Sequence, residues 1–165
     1  MSVFIGIDPG KNGGIACWDL KTNTVELEPF TGPKSRGGHF HIASVIDKLA
    51  ALPRPEAIVL EEVGPRPGEG AVSVATFARC HGLLLGMVHM LRAVDWMGAE
   101  ILRPKPQAWK AAVLAGYARS DAGEAEAFGY LTSCSAIFGE RNEHTQDALF
   151  LAAYGAINRG HPLPT

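Results

Sequence analysis

Residues 3–19 read VFIGIDPGKNGGIACWD, and this stretch decides the fold. Val3 to Asp8 is apolar and β-branched up to one carboxylate at its end, which predicts a short buried strand. The next six residues, PGKNGG (9–14), predict a turn, because Pro, Asn and Gly supply the backbone angles of a tight reversal. A second strand, IACWDL (15–20), then returns alongside the first. The pattern therefore places a carboxylate where a buried strand meets a glycine-rich turn.

The rest of the chain alternates strands and helices. A fourth strand, EAIVLEEV (Glu56–Val63), is expected to be buried and parallel to the first strand through a helical crossover. The other predicted elements are a third strand near Thr24–Phe30, a helix over His39–Ala51, a long helix over Val72–Val94, a fifth strand at Gly98–Arg103, a helix over Pro104–Ala115, a helix capped by Ser120-Asp121, and a last helix over Glu143–Arg159. This order predicts a mixed α/β domain with a central five-stranded sheet flanked by helices.

Size and composition favour one globular domain over residues 1–165. The chain is 47% hydrophobic and 19% charged, which suits a sizeable core and excludes a disordered chain. Its three cysteines are far apart and form no CxxC pair, so we expect reduced core residues in a cytosolic protein. The N-terminus does not resemble a signal peptide, and the most apolar run, Gly82–Met90, is too short to span a bilayer. We therefore expect a cytoplasmic protein that makes no contact with a membrane.

Charge is unevenly distributed along the chain, although the formal net charge is only −2. Between Val63 and Arg119 there are seven basic residues and three acidic ones. Between Ser120 and Asp147 there are six acidic residues and one basic residue. Such asymmetry is compatible with a local phosphate-binding surface, and charged helix faces would produce a similar pattern.

Four residues carry the chemistry that the sequence suggests. Asp8 and Glu61 each lie at the end of a predicted strand, and two neighbouring carboxylates repel each other unless a cation lies between them. His144 and Asp147 are three residues apart, which places both on one face of the last helix. Three carboxylates and one imidazole form a ligand set suited to Mg²⁺ or Mn²⁺. Two such ions, about 3.5–4 Å apart, can activate water and stabilise the leaving oxygen in phosphodiester hydrolysis.

Each of these residues also has a purely structural interpretation. Asp8 could serve only the Pro-Gly turn, and Glu61 could be a charge on an edge strand. The pair formed by His144 and Asp147 could simply suit the start of a helix. The joint pattern, not any single residue, favours a metal site.

Three segments of the chain resemble the RuvC family of Holliday junction resolvases. Gly6–Gly10 (GIDPG), followed by Gly13–Ala16 (GGIA), resembles the opening of these nucleases. Leu60–Val63 (LEEV) is similar to the second acidic motif of the family, and His144–Leu149 (HTQDAL) is similar to its C-terminal acidic motif. The three motifs occur in the family's order, and the resemblance extends from Gly6 to about Ala153.

Two further segments resemble the phage-borne subgroup of that family. They are Pro104–Lys110, in which Trp109-Lys110 opens a helix, and the loop Pro67–Gly70. One departure is Glu62, because the family usually has a non-acidic residue after the catalytic glutamate. Residues 61 and 62 should point to opposite faces of a strand, so only one of them can face the site.

The resemblance implies an RNase H-like fold and a homodimer that cuts four-way DNA junctions symmetrically with Mg²⁺. It implies metal ligands at Asp8, Glu61 and Asp147. His144 would be a ligand or a proton carrier, and Lys110 would contact the scissile phosphate. Further candidate DNA contacts, chosen from the basic stretch, are Arg66, Arg79 and Lys105. The implied function is DNA recombination and repair in a bacterial cell or a phage-infected host.

Three other functions compete with this interpretation. A YqgF-like nuclease acting on RNA shares the first motif, but such proteins are usually shorter and the helix at Val72–Val94 fits RuvC better. A nucleotide binder of the actin or sugar-kinase type needs a duplicated domain and a chain about twice as long. A catalytically silent junction-binding protein would not need all four candidate ligands.

Overall fold

Strand β1 (Val3–Asp8) lies inside a six-stranded sheet, with its first five residues buried. A computed structural model describes residues 2–10, 12–30, 42–64, 68–118 and 120–163. The elements after β1 are β2 (Gly14–Asp19), β3 (Thr24–Pro29), α1 (Ile42–Ala51), β4 (Ala57–Leu60), α2 (Ala71–Val94), β5 (Glu100–Leu102), α3 (Pro106–Val113), α4 (Asp121–Ser133), β6 (Ala136–Gly139) and α5 (Glu143–Asn158).

The strand order across the sheet is β5-β4-β1-β2-β3-β6. Strands β1, β2 and β3 form an antiparallel meander, and β4 pairs parallel to β1 in the register Ile7 to Leu60. This confirms the predicted antiparallel start and the predicted parallel crossover. Strand β5 extends the parallel part on the far side of β4. The carboxyl ends of β1 and β4 therefore meet at the same edge.

The prediction of five strands was wrong, because β6 adds a sixth. Strand β6 (Ala136–Gly139) pairs parallel to β3 and forms one edge of the sheet. It is only four residues long, and Phe138 is 58% exposed. A short exposed edge strand has no alternating pattern strong enough to be recognised, and this one exists through its pairing with a distant strand.

Several predicted elements are shorter in the structure. Strand β4 ends at Leu60, so the two glutamates follow the strand instead of lying inside it. Strand β5 begins at Glu100, and α3 begins at Pro106, which suits proline because the first helical position needs no amide hydrogen. Helix α1 begins at Ile42 within the described residues, and the predicted start at His39 lies outside them.

The sheet separates two apolar layers, and side-chain alternation along β1 and β4 decides which layer each residue enters. Phe4 and Val59 face the layer that contains α5, while Ile5 and Leu60 face the layer that contains α2. Helix α5 packs against β1, β2 and β4. At Gly6 a Cβ atom would lie 1.9 Å from the carbonyl oxygen of Ala148, so glycine is what allows α5 to approach β1 this closely.

Helix α2 packs against the other face of the sheet with one of its sides, and its opposite side is exposed. Its buried residues are Cys80, Leu84, Met87, Val88 and Leu91, whereas Val72, Met90 and Val94 are exposed. Among the described helices it is the one long and apolar enough to cross a membrane by length and composition, with 22% of its most apolar window buried. The sequence-based expectation considered only Gly82–Met90 and missed this length. The buried residues of α2 belong to the core under the sheet. This packing is a sufficient reason for a helix of such apolar composition.

Candidate metal centre

The candidate centre lies where β1 and β4 end and α5 begins. Asp8 is the last residue of β1, and Glu61 is the first residue after β4. Because Ile7 pairs with Leu60 in a parallel ladder, Asp8 and Glu61 occupy equivalent positions on adjacent strands. This is the carboxyl edge, where α/β sheets commonly bind ligands.

Alternation along the strands distinguishes Glu61 from Glu62. Glu61 continues the series of Ala57 and Val59, which face α5, and it is half-buried. Glu62 is exposed and lines a separate cleft of about 200 Å³ together with Phe77, His81 and Arg103. Its carboxylate lies 4.0 Å from the guanidinium of Arg103. The geometry thus brings Glu61, and not Glu62, to the face that carries Asp8.

The start of α5 is fixed by a reciprocal cap. The side chain of Asn142 accepts from the backbone N–H groups of His144 and Thr145, and the hydroxyl of the fully buried Thr145 accepts from the N–H of Asn142. Gly14 lies against this turn, and a Cβ atom added to it would be only 3.1 Å from Thr145. The cap and the close contact together hold His144 and Asp147 beside the end of β1.

Asp8 and His144 form a direct hydrogen bond. Nδ1 of His144 donates to Oδ2 of Asp8 at 2.9 Å, and the backbone N–H of Gly10 donates to Oδ1 at 3.2 Å. The hydrogen bond to Asp8 raises the pKa of His144 above its ordinary value, even though partial burial acts in the opposite direction. The carboxylate of Asp8 therefore favours the protonated form of His144.

Asp147 has a strongly raised pKa. Burial, followed by the negative charge of Asp8, raises its pKa to about 7, and Lys110 offsets only part of this effect. Glu61 also contributes to the increase. The carboxylates therefore lie close enough to oppose each other's ionisation, and a cation among them would relieve that repulsion.

Helix α3 contributes two neighbouring side chains. The indole Nε1 of Trp109 donates to Oε1 of Glu61 at 2.8 Å. Lys110 pairs with Glu124 of α4 at 2.8 Å. Partial burial is the largest effect on the pKa of Lys110 and lowers it, but this hydrogen bond and the negative charges of Asp147, Glu124 and Glu61 together outweigh burial and raise the pKa. Neither Trp109 nor Glu124 was among the site residues predicted from the sequence. No local motif predicts either contact, because each joins two different elements of the fold.

The donor set fits a divalent cation in its chemistry. Three carboxylates and an imidazole lie at one edge, and burial together with the negative charges of Asp8 and Glu61 raises the pKa of Asp147 there. Within the described ranges, however, no three His, Cys, Asp or Glu side chains meet at the spacing of a bound ion. Asp8 is held by the hydrogen bond from His144, so rotation of these two side chains would have to complete a coordination shell.

The predicted DNA-contact residues lie in different surroundings. Arg79 is exposed on α2, and Lys105 is exposed at the residue before α3. Lys110 is half-buried and lies near Asp147 and Glu61, whose charges influence it. Arg66 lies outside the described residues.

Comparison with known proteins identifies the fold. No protein-family model and no curated protein matches the chain. Among solved structures, RuvC of Thermus thermophilus in complex with a Holliday junction substrate is similar with a TM-score of 0.67 and 24% sequence identity, covering 96% of this chain and 95% of that one. A second Thermus thermophilus RuvC structure has a TM-score of 0.62 and 23% identity, with 99% of both chains covered. A yeast mitochondrial Holliday junction resolvase is more distant, with a TM-score of 0.48, 17% identity, and coverage of 93% of this chain and 75% of that one. The chain therefore has the RuvC form of the RNase H-like fold.

Proposed function

We propose that this chain is a metal-dependent DNA endonuclease that resolves four-way junctions. The observation that carries the proposal is the convergence of Asp8, Glu61 and Asp147, with His144 beside them, at the carboxyl edge of a RuvC fold. The similar Thermus thermophilus RuvC was solved with a Holliday junction substrate, which supports the choice of branched DNA as the substrate.

In this proposal Asp8, Glu61 and Asp147 hold Mg²⁺, or Mn²⁺ in its place, with two ions per site. When bound, the ions supply an activated water and stabilise the leaving oxygen of the phosphodiester. His144 is a ligand or holds a proton at Nδ1 beside Asp8. Lys110 presents its ammonium group to the scissile phosphate after leaving Glu124. Hydrolysis in this proposal would use an in-line water as the nucleophile and would need no covalent intermediate with the protein.

DNA binding in this proposal depends on backbone shape more than on base edges, because a junction presents phosphates at unusual angles. Arg66, Arg79, Lys105 and Lys110 are the proposed phosphate contacts. The overall charge of −2 implies a modest number of such contacts and a correspondingly modest affinity. The proposed setting is recombination and repair in the cytoplasm of a bacterial cell or a phage-infected host.

A second copy of the chain is part of the proposal. Cutting two strands of like polarity requires two sites, which a twofold dimer supplies. The exposed side of α2 suits the interface, because Val72, Met90 and Val94 are apolar and open. Gly82 and Gly86 have no neighbouring atoms within 4 Å of a built Cβ, so this side of the helix can approach another helix closely.

The test is cleavage of a synthetic four-way DNA junction by the wild-type protein and Asp8→Asn. We expect paired symmetric nicks with Mg²⁺ that disappear with EDTA and fall by about 100-fold or more with Asp8→Asn, since a lost ligand should cost at least as much as a lost outer partner. Junction binding without cleavage in Mg²⁺ or Mn²⁺ would leave a silent junction-binding protein as the better explanation. Preferential cleavage of RNA would favour the YqgF-like alternative.

A further inference from the structure

The contact between Trp109 and Glu61 is unusual in its surroundings. Trp109 is 1% exposed, and its ring lies 6.0 Å from that of Phe150, centroid to centroid, in the layer that α5 fills. Its indole N–H nevertheless reaches a carboxylate at the edge of the sheet, at 2.8 Å from Oε1 of Glu61. The indole plane is thus fixed by the core while its one polar atom points at the candidate centre.

Burial alone does not produce such a bond, as Trp18 shows. Trp18 belongs to the same apolar layer and is fully buried, yet its Nε1 has no hydrogen-bond partner among the described residues. The two tryptophans therefore share packing and differ in whether the indole N–H meets a carboxylate. A comparison of the two tryptophans can therefore separate the effect of the Trp109 hydrogen bond from the effect of its packing in the core.

The chemistry of the bond suits the orientation of a ligand. An indole N–H only donates, so it binds a carboxylate oxygen and cannot accept a proton from it. By occupying Oε1, it fixes the side-chain torsions of Glu61 and directs Oε2 away from Trp109. Hydrogen bonds from neighbouring groups orient metal ligands in this way in many proteins, and their loss typically weakens metal binding by roughly 10–100-fold.

We infer that Trp109 is a positioning residue, which holds the Glu61 carboxylate in the orientation that accepts the metal ion. This inference rests on the proposed function, in which Glu61 is a metal ligand. It also gives a reason why Glu61 rather than Glu62 takes that role. Glu62 follows the strand on the opposite face and lies beside Arg103, out of reach of the indole.

The test compares Trp109→Phe with Trp18→Phe in the full-length protein. Both changes replace a buried indole by a smaller ring, but only the first removes a hydrogen bond to a carboxylate. We expect the Mn²⁺ dissociation constant, measured by calorimetry, to rise roughly 10-fold or more in Trp109→Phe and to stay within about twofold in Trp18→Phe. In a Glu61→Gln background, Trp109→Phe should cause no further loss of affinity, because the pair acts as one unit.

A spectroscopic measurement tests the inference without either tryptophan variant having to fold well. The chain has three indole N–H resonances, from Trp18, Trp96 and Trp109. In ¹H–¹⁵N spectra we expect Mg²⁺ addition and Glu61→Gln each to shift the Trp109 resonance strongly and to leave that of Trp18 in place. An unmoved Trp109 resonance in both experiments would overturn the inference.

These experiments distinguish a failure of this inference from a failure of the proposed function. If the wild type binds Mn²⁺ and cuts the junction, but Trp109→Phe binds Mn²⁺ as tightly as Trp18→Phe does, the inference is wrong and the function stands. If the wild type binds neither Mn²⁺ nor Mg²⁺, the proposed function fails and the inference fails with it.

Discussion

At the scale of one residue, Asp147 shows how burial and neighbouring carboxylates at the edge of the sheet oppose the ionisation of a carboxyl group. Its pKa of about 7 reflects burial and the neighbouring Asp8, with Glu61 adding to the effect. A carboxyl whose pKa is raised on folding destabilises the folded protein when the pH is high enough to ionise it. Functional sites commonly carry such strain, which the bound ligand removes.

We predict that Asp147→Asn stabilises the metal-free protein at pH 8. The folded wild type binds more protons than the unfolded chain between the two pKa values of Asp147, so its stability falls as the pH rises through that range. Removing the charge should raise the free energy of unfolding by about 1–2 kcal/mol at pH 8 and by less at pH 5. Urea unfolding in EDTA at both pH values measures this. A destabilised variant at pH 8 would mean that the attraction of Lys110 exceeds the effects of burial and repulsion.

The four candidate ligands could be selected from the sequence because each follows a local rule. Asp8 ends an apolar strand, and His144 and Asp147 are spaced by three on a helix that begins with a recognisable cap. The contacts of Trp109 and Glu124 could not be predicted in the same way. Each depends on where α3 lies against β4 and α4, and a single sequence contains no signal for such packing.

At the scale of the elements, the seating of α5 on β1 is what assembles the centre. Gly6 is the point of closest approach, since any side chain there would meet the backbone of Ala148 and Ala152. Interiors are packed so densely that such an overlap moves the whole helix. The position of His144 and Asp147 relative to Asp8 is therefore set partly by a residue that has no side chain.

We predict that Gly6→Ala destabilises the fold by about 3 kcal/mol or more, because overpacking against backbone atoms cannot be relieved by a change of rotamer. It should also weaken Mn²⁺ binding, since α5 has to move away from β1. The matched control is Gly129→Ala in α4, where a Cβ meets nothing within 4 Å. That change should stabilise the protein by about 0.5–1 kcal/mol. Equal thermal stability of the two variants would contradict the role assigned to Gly6.

Strand β6 marks the limit of prediction at this scale. The buried strands β1 and β4 are recognisable by their apolar runs, and the parallel crossover between them follows from the intervening helix. Residues 136–139 have three apolar side chains that are partly or largely exposed, and they become a strand by pairing with β3. Length and periodicity could not distinguish them from a loop.

At the scale of the whole molecule, the single chain leaves apolar side chains of α2 and of the turn after it uncovered. Val72, Val94 and Met97 are each more than 60% exposed, and Met90 is about half exposed. Large apolar side chains that cluster on an exposed surface often mark an interface. The proposed dimer places a second α2 against it.

We predict that Met90→Glu combined with Val94→Glu converts a dimer into a monomer without unfolding it. Both side chains are exposed, so the charges should stay in water in the monomer and oppose each other across a twofold interface. Light scattering coupled to gel filtration measures the mass, and circular dichroism checks the fold. The control is Phe138→Glu, which changes an exposed aromatic residue on the edge strand β6. A monomeric wild type would refute the interface.

The position of α5 along the chain has a consequence for biosynthesis. Asp8 and Glu61 are made early, but His144 and Asp147 belong to the element that follows all the other described ones. A growing polypeptide therefore carries two of the four groups while the layer that α5 fills is still open. The candidate centre is completed only when residues 143–158 have left the ribosome and docked, so a chain truncated before that point would lack two of its four groups.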